Sequence, residues 1–154
     1  MRRNSSYNQH IGLFFLALFL VVYQVFSGIY LFLSPLAGFF FVYITKNFKS
    51  DNIELYLAFA YLCFFELNHG FYLFSLTFLF ALFYNFLKPH IEVMFQNELW
   101  IVTITVASAY MGLFVVNTFL AYMFGGEFFV FGIVYFFYIV IDTILALLLL
   151  RRYR

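Results

Sequence analysis

The chain has 154 residues, 66% of them apolar and only 10% charged, against about a quarter charged in ordinary soluble domains. So few charges cannot cover a water-facing surface, which excludes a soluble globular domain; a disordered chain is excluded because none is this apolar. The net charge of +1 offers no footprint for nucleic acid, and one cysteine, Cys63, excludes an intrachain disulfide framework or a zinc ribbon. This is the composition of an all-α, polytopic integral membrane protein forming one domain over 1–154.

A spanning helix needs roughly 20 apolar residues, so about six spans fit. Arg2-Arg3 resembles the start of a signal peptide, but the apolar stretch after it runs past the roughly 7–15 residues of such a segment and no small-x-small cleavage site follows. The first span is therefore expected to stay in the membrane. Nothing between Arg3 and Lys46 is charged, an interval too long for one helix. Ser27-Gly28 and Ser34-Pro35 are the places to turn, which predicts spans at about 11–27 and 31–45. The polar stretch Lys46 to Asn52 follows. The block 53–87 again needs a break, and Glu66-Leu67-Asn68-His69-Gly70 supplies it, giving spans at about 53–66 and 70–87.

Between Lys88 and Glu98 the pattern is mixed. Ile91, Met94 and Phe95 recur at helical spacing, as in one or two turns lying on a membrane surface, although a plain loop fits equally. A long uncharged span covers about 99–123, Gly125-Gly126-Glu127 reads as a tight turn, and the last span covers about 128–150 before Arg151-Arg152-Tyr153-Arg154. With both termini inside, every lysine and arginine falls in the four cytoplasmic segments 1–10, 46–52, 88–98 and 151–154, while the outer turns carry only Glu66 and Glu127. That is the positive-inside distribution, and five or seven spans would break it.

Aromatic residues make up 27% of the chain, a share read mainly as bulky apolar filling. Trp100, Tyr43, Tyr84 and Tyr153 fall near inner span ends, and Tyr30 and Tyr122 near outer ones, as interfacial belts require. Ser108 and Gly112 form a small-xxx-small pair that permits close helix approach, either inside the protein or against a partner. Asp142 stands inside the sixth span, about 13 Å from Arg151 along a helix. An intramembrane carboxylate is expensive, and three roles are open to it: a helix–helix hydrogen bond, a partner or ligand contact, or proton chemistry. Asn117 and Thr118 are its candidate neighbours. The partner-contacting face is expected at Ser108, Gly112 and Asp142.

Glu66 and His69 have the Glu-x-x-His spacing of di-iron bundles, but the motif occurs once, at a turn, and His90 and Glu92 are expected on the opposite side. No metal site, cofactor or catalytic residue is expected, and no nucleotide loop or nucleophile elbow is present. Lys46, Lys49, Lys88, Arg151 and Arg152 form an inner basic surface suited to anionic lipids.

Six short helices with both termini inside and almost no extramembrane mass resemble MreD, the rod shape-determining membrane protein. The local likeness lies at the third-to-fourth turn. MreD sequences tend to show a small-residue-rich helix, then Asp-x-x-Ser-Gly, then an apolar helix. Here Ala58 and Ala60 precede Glu66-Leu67-Asn68-His69-Gly70, and Phe71 to Leu87 follows. Glu66 stands for the usual Asp, His69 for Ser, and alanines with Cys63 replace the family's glycines. Gln24 before the first outer turn, Pro35 opening the second helix and the basic tail agree more softly.

The resemblance implies a non-enzymatic adaptor of the bacterial inner (cytoplasmic) membrane. Such a protein binds MreC and links MreB filaments to a class B penicillin-binding protein and RodA during cell-wall elongation. It also implies a fold similar to the substrate-binding S-component of energy-coupling-factor transporters. That makes a small-molecule-binding transporter subunit the rival, and such a subunit requires an outer cavity lined by convergent polar groups. In either case Glu66, Asn68, His69 and Gly70 are expected to form the structural turn between spans three and four.

Overall fold

The computed structural model describes residues 3–49, 52–126 and 130–152, and their side chains over 11–49, 52–126 and 130–149. All the regular structure among the described residues is helical. The helices are α1 (Arg3–Ile29), α2 (Ala37–Asn47), α3 (Ile53–Asn68), α4 (Ser75–Leu82), α5 (Lys88–Met94), α6 (Glu98–Phe124) and α7 (Val134–Arg152). A π-helical turn, Phe83–Leu87, joins α4 to α5, so the two form one rod and the described residues form six rods. Ile11–Ile29 and Glu98–Phe124 are long and apolar enough to cross a membrane, and Val134–Leu149 is a shorter apolar helix.

Local chemistry explains the ends. α3 stops at Gly70, whose φ of 72° only glycine adopts readily. Phe71 N–H then donates to the Glu66 carbonyl at 2.9 Å and Gly70 N–H to Leu67 at 3.4 Å, which together make a Schellman stop. α6 ends the same way at Gly125 (φ 70°), with Gly126 N–H donating to Ala121. The π turn precedes Pro89, which has no N–H to give and crowds the preceding turn of any helix that runs through it.

The second, fourth and last spans differ in their bounds from the sequence expectation, and α1 already begins at Arg3. The second span is not a helix from 31: residues 30–36 are non-helical and α2 begins at Ala37, since Pro35 disfavours helical backbone at the residue before it. With 11 residues, α2 is only about 16 Å long. The fourth helix begins at Ser75 rather than 70, because 71–74 are held by side chains described below. It then runs on to Met94, so Lys88–Met94 is a continuation of that helix and Ile91 is buried. The last helix begins at Val134 rather than 128; residues 127–129, with Glu127, lie outside the described residues.

α2 is the central element, packed against α3, α6 and α7, with Phe41 and Ile44 fully buried. α4 packs on α3 and α6, while α1 lies against α3 with Phe15, Phe19 and Val22 exposed. Of the aromatic belt, Trp100, Tyr30 and Tyr122 are exposed.

Candidate functional site

Among the described residues two carboxylates are completely buried, Asp142 and Glu66, and each completes the start of a helix in another part of the chain. α2 opens after Leu36, which has φ 56° and no capping side chain of its own. A non-glycine residue in that region is strained by roughly 1–2 kcal/mol. Asp142, from α7, supplies the missing cap. Phe39 N–H donates to its Oδ2 at 3.2 Å, Tyr110 OH donates to Oδ2 at 2.7 Å, and Ser34 Oγ donates to Oδ1. A carboxylate at a helix N-terminus satisfies orphan N–H groups and meets the positive end of the helix dipole.

The second arrangement repeats the first. α4 opens after Phe74, also left-handed (φ 66°) and also without a local cap. Glu66, at the end of α3, accepts from Phe74 N–H at 2.7 Å, from Ser75 Oγ at 2.8 Å and from Leu76 N–H. Asn117 of α6 completes it, donating to Ser75 Oγ at 2.9 Å and to its own Leu113 carbonyl, and accepting Tyr72 N–H at 2.7 Å.

The non-helical stretch 30–36 is strapped down by tyrosines. Tyr23 OH donates to the Ser34 carbonyl at 2.7 Å and Tyr138 OH to Leu31 at 2.5 Å. Tyr61 OH lies 2.7 Å from both the Pro35 carbonyl and Gln24 Oε1. Gln24, fully buried, ties this stretch to the α3 end: Asn68 Nδ2 donates to its carbonyl at 3.0 Å and its Nε2 lies 3.4 Å from His69 Nδ1. Burial beside Phe65 and Phe71 holds the His69 imidazole below its ordinary pKa, against a smaller opposing pull from the Phe65 carbonyl. Among the described residues no buried side-chain nitrogen or oxygen lacks a hydrogen-bond partner.

The expected site residues are therefore distributed as follows. Glu66, Asn68, His69 and Gly70 do sit together at the α3–α4 turn, but Glu66 and His69 point to different partners. No group of three or more metal-ligating side chains is gathered among the described residues. Ser108, Gly112 and Asp142 do not form one exposed face. Ser108 Oγ bonds the Thr105 carbonyl within its own helix, and a Cβ on Gly112 would stand 2.5 Å from Leu79 Cδ1, which marks close packing of α4 on α6. Asp142 is out of reach of any partner. Nor is Asn117 its neighbour: Tyr110, seven residues and about 10 Å earlier on α6, faces Asp142 instead.

At the opposite end of the rods, Lys46 Nζ pairs with Glu98 Oε1 at 2.6 Å. Lys88 Nζ donates to the Thr45 carbonyl at 3.2 Å and lies 4.4 Å over the Tyr84 ring. Lys49 is exposed, and the side chains of Arg151 and Arg152 lie outside the described residues.

Sequence reasoning missed the tyrosine straps and Gly38, where a Cβ would stand 2.7 Å from Val106 Cγ1 and 3.1 Å from Asp142 Oδ2. A signal for part of this was present, since Gln24, Ser34 and the Asn117-Thr118 pair are polar positions within apolar runs. Compared with known proteins, the chain matches no family model, no curated protein and no solved structure.

Proposed function

We propose that this chain is a six-span, non-catalytic adaptor of the MreD kind in the bacterial cytoplasmic membrane. In this reading it binds an MreC-like membrane protein and links MreB filaments to the class B penicillin-binding protein and RodA of cell-wall elongation. Both termini lie inside. The clustering of Lys46, Lys88 and Glu98 at one end of the rods supports that orientation, since it gathers two segments expected to be cytoplasmic, 46–52 and 88–98.

The observation that carries the adaptor reading is the use made of the polar groups. Glu66, Asn68, His69, Gln24 and Asp142, the residues a ligand-binding subunit would turn toward a cavity, are bonded to the chain's own loops and helix starts. Along the rods, large apolar side chains are exposed, notably the Phe15, Phe19, Val22 and Phe26 stripe of α1. Helix faces of this type recognise other helices in a bilayer.

The test is a mild-detergent pull-down of the tagged chain from its native membranes, read by mass spectrometry. Co-recovery of MreC with a penicillin-binding protein is the expected result. Recovery of a coupling transmembrane subunit with its ATPases would instead identify a transporter subunit and refute the adaptor.

A further inference from the structure

Between α2, the π turn, α5 and α6 lies a cavity of about 250 Å³, at the Lys46 end of the rods. Its mouth carries Lys46, Lys88 and Glu92, and its floor is apolar, with Phe83, Ile91 and Val102 almost wholly buried. The volume is just under the roughly 300–1,000 Å³ of pockets that enclose a drug-sized ligand. It suits the charged head and the first carbons of a larger amphiphile whose remainder lies outside.

The mouth is built rather than incidental. The Lys88 side chain is about one-quarter exposed (24%), anchored on the Thr45 carbonyl and laid over Tyr84. Its distance to Glu92 is 3.9 Å, too long to occupy the ammonium fully. Lys46 lines the same cavity, with its ammonium paired to Glu98 Oε1 at 2.6 Å. The Lys88 ammonium, held by Thr45 and Tyr84 beside apolar side chains at the end of an apolar bundle, makes a phosphate clamp at headgroup depth. The π turn that shapes one wall is the kind of helix irregularity found at binding sites.

We infer that this cavity is a specific phospholipid site of the inner leaflet, with the lipid phosphate on the Lys88 ammonium and the start of one acyl chain over Phe83 and Val102. The inference rests on the membrane orientation given above but not on the adaptor role. A glycerophospholipid fits the opening on both counts, since its phosphate meets Lys88 and its glycerol and chain meet the apolar floor.

The experiment is native mass spectrometry of the full chain released from vesicles of phosphatidylglycerol and phosphatidylethanolamine. One lipid is expected to remain bound on the intact protein. Lys88→Gln is expected to lower its retention roughly tenfold, the usual effect of losing one charge-assisted hydrogen bond. Lys88→Arg should retain it, which separates charge from folding, and Thr105→Phe, which fills the cavity from α6, should expel it. Lys49→Gln, which removes a charge from the basic surface outside the cavity, should lower retention of the bound lipid far less than Lys88→Gln. Equal loss in the Lys49 and Lys88 variants, or full retention in Thr105→Phe, would reduce the binding to general surface attraction and overturn the inference. Displacement by glycerol 3-phosphate would assign the clamp to a soluble phosphate ester and overturn the lipid. Because no protein partner is needed, a failed pull-down and a failed lipid measurement are separate results.

Discussion

Replacing Asp142 with leucine keeps the approximate bulk of the side chain but removes the acceptor for Ser34, Tyr110 and the first turn of α2. Interhelical hydrogen bonds in membrane proteins average about 0.6 kcal/mol each, so three set a lower figure of about 2 kcal/mol. The Phe39 N–H is in a different position from the two hydroxyls. It belongs to a helix start fixed by the left-handed Leu36, whereas the hydroxyls can rotate toward other acceptors. A stranded buried donor costs about 1–3 kcal/mol, which brings the total to about 3–5 kcal/mol.

Asp142→Asn should behave differently. Its amide oxygen can take the Oδ2 place and serve Phe39 and Tyr110, while the amide nitrogen donates to a rotated Ser34 hydroxyl. We expect Asp142→Asn within about 1 kcal/mol of the parent by the same reckoning. At roughly 2–4 °C per kcal/mol, thermal unfolding in detergent, followed by loss of the monodisperse gel-filtration peak, should separate the two variants clearly. If the leucine variant melted with the parent, the capping role would be wrong. If asparagine were as harmful as leucine, the charge and not the hydrogen bonds would be what the site requires, and proton chemistry would return as its purpose.

Gly38→Ala should destabilise by roughly 1–3 kcal/mol, because the new methyl meets Val106 and Tyr110 at 2.7 and 3.0 Å in a packed interior. Val106→Ala in the same chain should recover part of that loss, and an additive pair measured by thermal unfolding would sink the idea. Gly70→Val should reduce the yield of folded protein through backbone strain of roughly 1–2 kcal/mol, since a Cβ there touches nothing within 4 Å. Gly70→Asn, which tolerates positive φ, should recover most of the yield on fluorescence-detected gel filtration, and equal losses would point to another cause.

The pH dependence should carry a His69 component. Its folded-state pKa lies below the ordinary 6.5. Below pH 6.5 the unfolded chain therefore binds a proton that the folded chain resists, so stability is full above that pH and falls until the folded-state pKa is passed. Unfolding temperatures at pH 7.5 and 5 should differ less in His69→Gln than in the parent, and an equal difference would refute the component.

Much of the architecture could be read without coordinates because it follows from one-dimensional patterns. The helical class and the breaks near Gly28–Pro35, Gly70 and Gly125 follow from apolar runs interrupted by residues that end helices. The turn at Glu66–Gly70 was legible for the same reason: Gly70 supplies a backbone angle no neighbour can supply. What escaped was whatever depended on a distant partner. Residues 31–36 are apolar enough to be helix, and it is Tyr23, Tyr61, Tyr138 and Asp142 that bond them in a non-helical course. The same holds for 71–74, held by Asn117 and Glu66.

The sequence by itself determined that the chain is a set of apolar helices with its positive charges gathered into a few short segments, because apolar surface and charge follow from local composition. Only the tertiary structure decided the two carboxylates. Asp142 lies 103 residues from Phe39, whose N–H it accepts, and a helix start lacking its own cap reveals its partner only once the rods are packed. Inside an apolar bundle no water can take that place, so each buried polar group must find another part of the chain, and which part it finds is a property of the fold.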